Sequence, residues 1–462
     1  MAGPRTIPSP SDELRPNTAE LLVAPFARFM RFEASAGIAL ILMAAAAMVW
    51  ANSPWGAEYV QFFQGTKVKV GFGSWGLEKA LILWINDLLM GLFFLLVGLE
   101  IKREILRGEL NSLRKAALPI AAAIGGMAVP GIIFAAINWG QPSIRGWGIP
   151  MATDIAFALG VLALVGKRVP TALGIFLTTL AIIDDLGALI IIAVFYTEQI
   201  GMNYLALAGV PLFGLIVLNR LGFRNPLLYM IFGIVLWYFV LKSGVHATIA
   251  GVVVALTIPA STRVDQNRYV EFVRSMVDRF ADQIETLGPK HTTTAQQTTV
   301  FAIEKAGKEV ETPLRRLETQ LLPWTSFAIL PVFALANAGV SVDFSSDEGI
   351  PMRVLLGVAV GLMVGKPIGV LAASWICVKL GIGELPAGVR WRHIHGAGWL
   401  AGIGFTMALF IANLGFNASA TSLDAAKLGI LAASVVAGVI GWALLMLSSR
   451  TTAGTQSDTV SP

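Results

Sequence analysis

Long apolar runs separated by short polar connections dominate the chain. A bilayer crossing needs about 20 mostly apolar residues. Twelve stretches approach that length: 34–52, 80–106, 116–138, 147–166, 171–197, 203–220, 224–241, 244–259, 321–340, 353–379, 395–416 and 425–447. The pattern predicts an all-α polytopic membrane protein, and an even number of spans puts both termini on one side. Two connections depart from it. Residues 65–73 alternate polar and apolar side chains with Gly65 and Gly73 at the ends, the period of a strand. They read as a small outer-face hairpin near 60–75 or as an irregular loop; a hairpin alone is marginal and would seek a partner edge. The other is 260–320, the one long polar insertion. There Tyr269, Val273, Met276, Phe280 and Ile284 recur at helical spacing, while Glu271, Arg274, Asp278, Arg279 and Asp282 form the other face. This predicts an amphipathic helix on the membrane surface or against the domain, then a flexible Thr/Gln stretch (Thr292–Thr299), then a second helical pattern to about Leu321. It serves as a solvated connector or as a regulatory element.

Residues 1–31, with Pro4, Pro8, Pro10 and Pro16, are polar and expected to be disordered. The first apolar run starts only near Ala34, unlike a cleaved signal peptide. The resulting plan is a cytoplasmic N-terminus (1–31), spans one to eight (32–259), a cytoplasmic amphipathic connector (260–320), spans nine to twelve (321–448) and a cytoplasmic tail (449–462).

Composition agrees with the pattern. The 462 residues are 55% hydrophobic and 14% charged, with mean hydropathy +0.71, against about 25% charged in a soluble domain. The single cysteine, Cys377, excludes an internal disulfide and a cysteine-rich metal site, and the four histidines lack metal-ligand spacing. The net charge of +5 matters less than its placement. Lys102, Arg103, Arg107, Arg114, Lys115, Lys167, Arg168, Arg220, Arg224, Lys379, Arg390 and Arg392 fall in alternate connections, joined by Arg5, Arg15, Arg28 and Arg31 at the N-terminus. The opposite connections carry only Lys67, Lys69, Arg145, Lys242, Arg353 and Lys427. Basic residues mark the cytoplasmic side, so both termini are expected there.

Charges inside the spans are the candidate chemistry. Asp154 follows Thr153 in one apolar run; Asp184 and Asp185 are adjacent in the next. A charged residue at the centre of a bilayer costs about 2.5–3.5 kcal/mol on the insertion scale. Two adjacent carboxylates repel and both lose hydration, so at least one is poised to exchange a proton near neutral pH. Lys366, in Gly365-Lys-Pro-Ile-Gly369, is a buried base that could do the same. Carboxylate and hydroxyl oxygens also suit a hard cation such as Na+ or Li+. One set of oxygens cannot hold cation and protons together at full affinity, and that competition suffices for exchange if the site faces one side at a time. The structural alternative is an ion-pair network that only fixes packing. Asp87 lies early in span two. Glu100, Arg103 and Glu104 share a face at its end. Pro150 before Asp154, and Gly402 and Gly404 in span eleven, interrupt two spans in separate halves. Such a pair points to broken helices at an inverted-repeat interface, where Asp154 would offset the positive helix ends and Lys366 the negative ones.

At these motifs the chain resembles the NhaA-type Na+/H+ antiporters. The matching stretches include Phe93-Phe-Leu-Leu-Val-Gly-Leu-Glu-Ile-Lys-Arg-Glu104, Ala152-Thr-Asp-Ile-Ala-Phe-Ala-Leu-Gly160, Ala181-Ile-Ile-Asp-Asp-Leu-Gly187, Gly365-Lys-Pro367 and Gly402-Ile-Gly-Phe-Thr-Met407. The resemblance implies twelve helices with spans four and eleven unwound and crossing, and a cation and protons carried on Asp185 and Asp184. Lys366 would pair with Asp184 when no cation is bound, and Thr153 would lie beside the site. It implies electrogenic, pH-regulated exchange of Na+ or Li+ for protons with no cofactor and no enzymatic activity. It further implies a homodimer through the outer hairpin, in a bacterial inner membrane among lipids, with no nucleic-acid partner. The pH-response residues Glu100, Arg103, Glu104, His246 and Glu318 match a cytoplasmic funnel. The two family histidines after that glutamate are here Thr319 and Leu322, so a displaced pH profile is expected. The runner-up is a sodium-coupled symporter of an organic solute, which would need a roomier site. A membrane aspartyl protease would need Gly-X-Gly-Asp, which is absent.

Overall fold

The computed structural model describes residues 34–72, 75–197, 200–262, 265–287, 294–340 and 350–453. The expectations for 1–31 and for the tail beyond 453 lie outside the described residues, as do Gly73 and Thr292.

Among the described residues, seven helices are long and apolar enough to cross a membrane. They are α2 (Leu81–Arg107), α3 (Leu113–Ile137), α6 (Thr171–Phe195), α7 (Met202–Arg220), α12 (Pro313–Asn337), α13 (Met352–Lys379) and α16 (Ala420–Ala453, apolar to Ser448). Two bent pairs qualify jointly: α4 (Pro142–Met151) with α5 (Ile155–Val165), at 40°, and α14 (Trp391–Ala401) with α15 (Phe405–Gly415), at 45°. Three shorter apolar helices, α1 (Ser35–Ala51), α8 (Pro226–Lys242) and α9 (Thr248–Thr257), fall in the remaining apolar runs. Among the described residues the chain is all-helical apart from one hairpin, the architecture of a polytopic membrane protein.

In that hairpin β1 (Lys67–Phe72) pairs antiparallel with β2 (Trp75–Ala80), with Lys67 opposite Ala80 and Val70 opposite Leu77. The alternating stretch therefore supplies one strand, and the second lies beyond it. In the insertion, α10 (Gln266–Leu287) is followed by α11 (Thr294–Val310). The described part of the Thr/Gln stretch is thus helical rather than flexible. Antiparallel packing on α10 buries Gln296 and Thr299, and Thr299 Oγ1 donates to Gln283 Oε1 (3.4 Å). Helix α12 starts eight residues earlier than the apolar run, because Thr312 accepts from Arg315 N (3.1 Å) and Pro313 occupies the first turn.

Two apolar clusters form the interior. The larger joins α1, α2, α3, α5, α6 and α12–α16; the smaller joins α2, α7, α8, α9 and the start of α12. Helices α3 and α13 pack closely. A side chain at Gly125 would run into the carbonyl of Gly369, and one at Gly369 into the carbonyl of Gly125, so the two bare backbones touch. Just before Lys366, α13 widens into a π-turn over Gly361–Gly365, and α2 does the same over Ile85–Leu89. Such turns shift the side chains that follow and recur at functional sites.

Candidate functional site

The two breaks meet. α4 is a ten-residue 3-10 helix, far longer than such helices usually run, and Pro150 sits in its last turn. Ala152–Asp154 are extended. Asp154 N donates to Ile403 O, from one break to the other (2.7 Å). Gly404 permits this approach, since a Cβ there would lie 3.2 Å from Ala152 O, while Gly402 lets α13 come close, since a Cβ there would lie 2.6 Å from Leu362 O.

Four helix ends converge here, each with a partner. Asp154 serves both N-terminal ends. Its Oδ1 accepts from Phe157 N (3.0 Å), in the first turn of α5. Its Oδ2 accepts from Thr406 N (3.0 Å) and Thr406 Oγ1 (2.6 Å), in the first turn of α15. Negative charge is favourable at such ends. The C-terminal end of α4 is met by Lys366, whose Nζ donates to Met151 O. The C-terminal end of α14 is met by Thr153, whose hydroxyl lies 2.9 Å from Ala401 O.

Asp184 and Asp185 arrive from α6 and are buried, as are Thr153, Asp154 and Lys366. Asp184 Oδ2 accepts from Lys366 Nζ (2.6 Å) and lies 2.7 Å from Thr153 Oγ1. A hydroxyl has one hydrogen, so Thr153 shares it between Asp184 and Ala401 O. Asp184 Oδ1 and Asp185 Oδ1 are buried with no hydrogen-bond partner. Two unsatisfied carboxylate oxygens at this depth are too costly to keep idle, and oxygen is the donor a small hard cation takes. Five site residues separated by up to 213 positions in sequence thus form one centre (Thr153, Asp154, Asp184, Asp185, Lys366).

The second predicted group divides. Arg103 bonds Glu104 Oε1 (3.0 Å) and Glu318 Oε1, and Arg315 Nη1 also reaches Glu318 (3.2 Å). Glu104 Oε2 accepts from Glu109 N (3.1 Å). Glu100 lies within electrostatic range of Arg103, Glu318 and Glu104 and of Asp185. His246 does not join them. Its ring lies 3.0 Å from Tyr196 O, before the start of α9. The end of α9, roughly 15 Å away at 1.5 Å per residue, is where Lys102 donates to Ile258 O (2.5 Å). Placing His246 in the funnel is therefore corrected: it belongs to the opposite end of the bundle. Asp87 is also outside the centre, paired with Lys79 of β2 (2.8 Å). Thr319 and Leu322 are exposed.

Sequence reasoning missed Thr406, although it lies in the Gly402–Met407 motif; a hydroxyl in the first turn after a helix break was the available signal. It also missed a triad of amides. Asn337 Nδ2 donates to Asn86 Oδ1 (2.9 Å), and Asn413 Nδ2 to Asn337 Oδ1 (3.0 Å), joining α12, α2 and α15.

Comparison with known proteins gives a consistent answer. Residues 27–445 match the sequence family described as Na+/H+ antiporter 1. The Na(+)/H(+) antiporter NhaA of Oleidesulfovibrio alaskensis is 49% identical over 435 residues, covering 94% of this chain and 96% of the relative. That of Koribacter versatilis is 47% identical over 446 residues (96% and 95%). That of Rhodospirillum rubrum is 47% identical over 427 residues (91% and 97%).

Proposed function

Because this chain belongs to the Na+/H+ antiporter 1 family, and so exchanges sodium ions for protons across a membrane, we propose that Asp184, Asp185 and Lys366 are its exchange centre. The observation that carries this is the pair of buried, unpartnered oxygens, Asp184 Oδ1 and Asp185 Oδ1, beside the Asp184–Lys366 ion pair. Na+ or Li+ binds through those oxygens, with Asp185 the main ligand. A cation on Asp184 competes with the Lys366 ammonium for the same carboxylate, so loading the site displaces Lys366 from Asp184. Unloading, with a proton taken up at the centre, lets the pair close again. Asp154 balances the two N-terminal helix ends and Thr153 lines the site. The ions are cargo, and neither a resident cofactor nor enzymatic chemistry is involved.

The finer architecture is also proposed. All twelve apolar segments cross the membrane, as two inverted repeats whose broken spans, α4–α5 and α14–α15, cross near the midplane. The basic connections put both termini, the 260–320 connector and the Arg103–Glu104–Glu318 cluster on the cytoplasmic side of a bacterial inner membrane. Exchange is electrogenic, with more protons than sodium ions moved per cycle, and Glu100 links the cluster to the centre for pH control. The free edges of β1 and β2 pair with a second copy to make a homodimer.

The test is flux in proteoliposomes carrying an imposed pH gradient. Added Na+ or Li+ dissipates the gradient, and Asp184→Asn or Asp185→Asn abolishes that response. A wild-type protein with no cation-dependent proton flux, or a variant pair that still exchanges, overturns the assignment. Cation flux appearing only with an organic solute would favour a symporter.

A further inference from the structure

A large apolar pocket lies between α1, α5 and α16, away from the exchange centre. Its volume is about 780 Å³, within the usual range for small-molecule sites. Ala45 and Ile41 of α1, Leu164 of α5 and Trp442 of α16 form its mouth. Ile41, Leu164 and Trp442 are each at least 39% exposed, so the mouth opens towards lipid. The floor is Phe157 and Phe405. The polar side-chain groups in the lining are the Ser434 hydroxyl, which already accepts from Phe405 N (3.2 Å), and the indole N–H of the exposed Trp442. The rest of the lining is apolar, and water deep in the pocket would lack the partners it needs.

The end of the pocket nearest the basic connections has a cation above it. Arg168 follows Leu164 by four residues through the short turn Gly166–Arg168. Among the described residues its exposed guanidinium donates to Met446 Sδ (2.8 Å), and Met446 is one helical turn beyond Trp442. A thioether is a weak acceptor, whereas phosphate matches the guanidinium fork. A cation one helical turn beyond the end of an apolar slot is the arrangement that suits one molecule with an anionic head and a hydrocarbon chain.

We propose that this is a site for an anionic phospholipid, with its phosphate on Arg168 and an acyl chain in the pocket down to Phe405. The floor gives the lipid a lever on transport. Phe157 and Phe405 stack edge to face at 5.8 Å, and they open the two half-helices whose N-terminal ends Asp154 joins. A chain packed against both rings supports that junction; an empty pocket leaves it loose. The proposal needs only that the chain lies in a membrane, so its failure leaves the exchange centre untouched.

The experiment is quenching of tryptophan fluorescence by lipids brominated on the acyl chain. Full-length protein is reconstituted with brominated phosphatidylglycerol or brominated phosphatidylcholine at matched mole fractions, and the Trp442 component is taken as the difference from Trp442→Phe. The expected result is at least about twofold stronger quenching of that component by the anionic lipid. The preference is lost in Arg168→Ala and kept in Arg168→Lys, while Ala45→Phe, which fills the mouth, lowers quenching by both lipids. Equal quenching by the two lipids in the wild type means bulk contact only and overturns the site. A preference that survives Arg168→Ala overturns the assignment of the head group.

Discussion

Asp154 holds more of the crossing together than any other side chain, and its removal has a calculable cost. Asp154→Ala strips the acceptor from Phe157 N, Thr406 N and Thr406 Oγ1. The hydroxyl can turn elsewhere, but the two amides cannot, and each buried donor left unpaired costs about 1–3 kcal/mol. Losing the anion from two helix N-terminal ends adds about 0.3–2 kcal/mol at each. Against this stands the relief of removing a charge from bilayer depth, about 2.5–3.5 kcal/mol. The net expectation is destabilisation of about 3–7 kcal/mol, taking the upper half of the first two ranges because the site is dry. Asp154→Asn keeps an oxygen for one helix and turns an NH2 to the other, so it should lose about half as much. Thr406→Val removes the hydroxyl alone. A double-mutant cycle between Asp154→Ala and Thr406→Val should therefore show coupling of about 1–2 kcal/mol, within the range for contacting residues. Equilibrium unfolding in mixed micelles measures all of these. If Asp154→Ala unfolds within about 0.5 kcal/mol of wild type, the typical spread for a surface change, the double-cap account is wrong.

Other outcomes follow from the same geometry. Lys366→Met, similar in volume but without the ammonium, should leave Na+ binding measurable while abolishing the proton-coupled response in vesicles; intact coupling would remove Lys366 from the centre. Gly402→Ala sets a methyl 2.6 Å from Leu362 O, and overpacking of this kind costs about 1–3 kcal/mol, so lower thermal stability with slowed exchange is expected. Exchange followed from pH 6 to 9 should give a curve displaced from that of a relative carrying histidines at the positions of Thr319 and Leu322, and an unshifted curve refutes a role for those positions. Glu318→Gln should move the midpoint of that curve, because it removes the ion pair with Arg103 and leaves that guanidinium to Glu104 alone, whereas His246→Ala, at the other end of the bundle, should not; the reverse result would restore His246 to the pH-responsive group.

The apolar runs located the helices well because in lipid every backbone amide must be satisfied within its own segment. Runs of apolar residues then have only one structure open to them. Where the chain leaves lipid the constraint relaxes and pattern becomes ambiguous. The 65–73 alternation exposed β1, but β2 contains Glu78 and Lys79 and reads as a polar approach to α2. Thr294–Thr299 looked like a flexible stretch because its composition is polar. Its order comes from α10, a neighbour that composition does not name. Glu318 looked like the end of a connector, and the Thr312 cap makes it the second turn of a span.

At the site, the legible part was the part that costs most. Asp154, Asp184, Asp185 and Lys366 are conspicuous because charge in lipid is expensive, so a single chain read alone is enough to flag them. Their partners are silent for the same reason reversed. Met151 O, Ala401 O and Ile403 O are backbone groups present at every position, and they become ligands only because Pro150, Gly402 and Gly404 let two spans break and touch. Thr406 costs little in an apolar helix, where its hydroxyl can bond the preceding turn, and gives no alarm. His246 shows the opposite error. Its motif groups it with Glu100 and Glu318, although Lys242, four residues before it, falls in a connection on the far side. The alternation of the spans carries the correct geometry, and the motif carries only the family. Where the two disagree about which end of a bundle a residue occupies, the topology of the spans should decide.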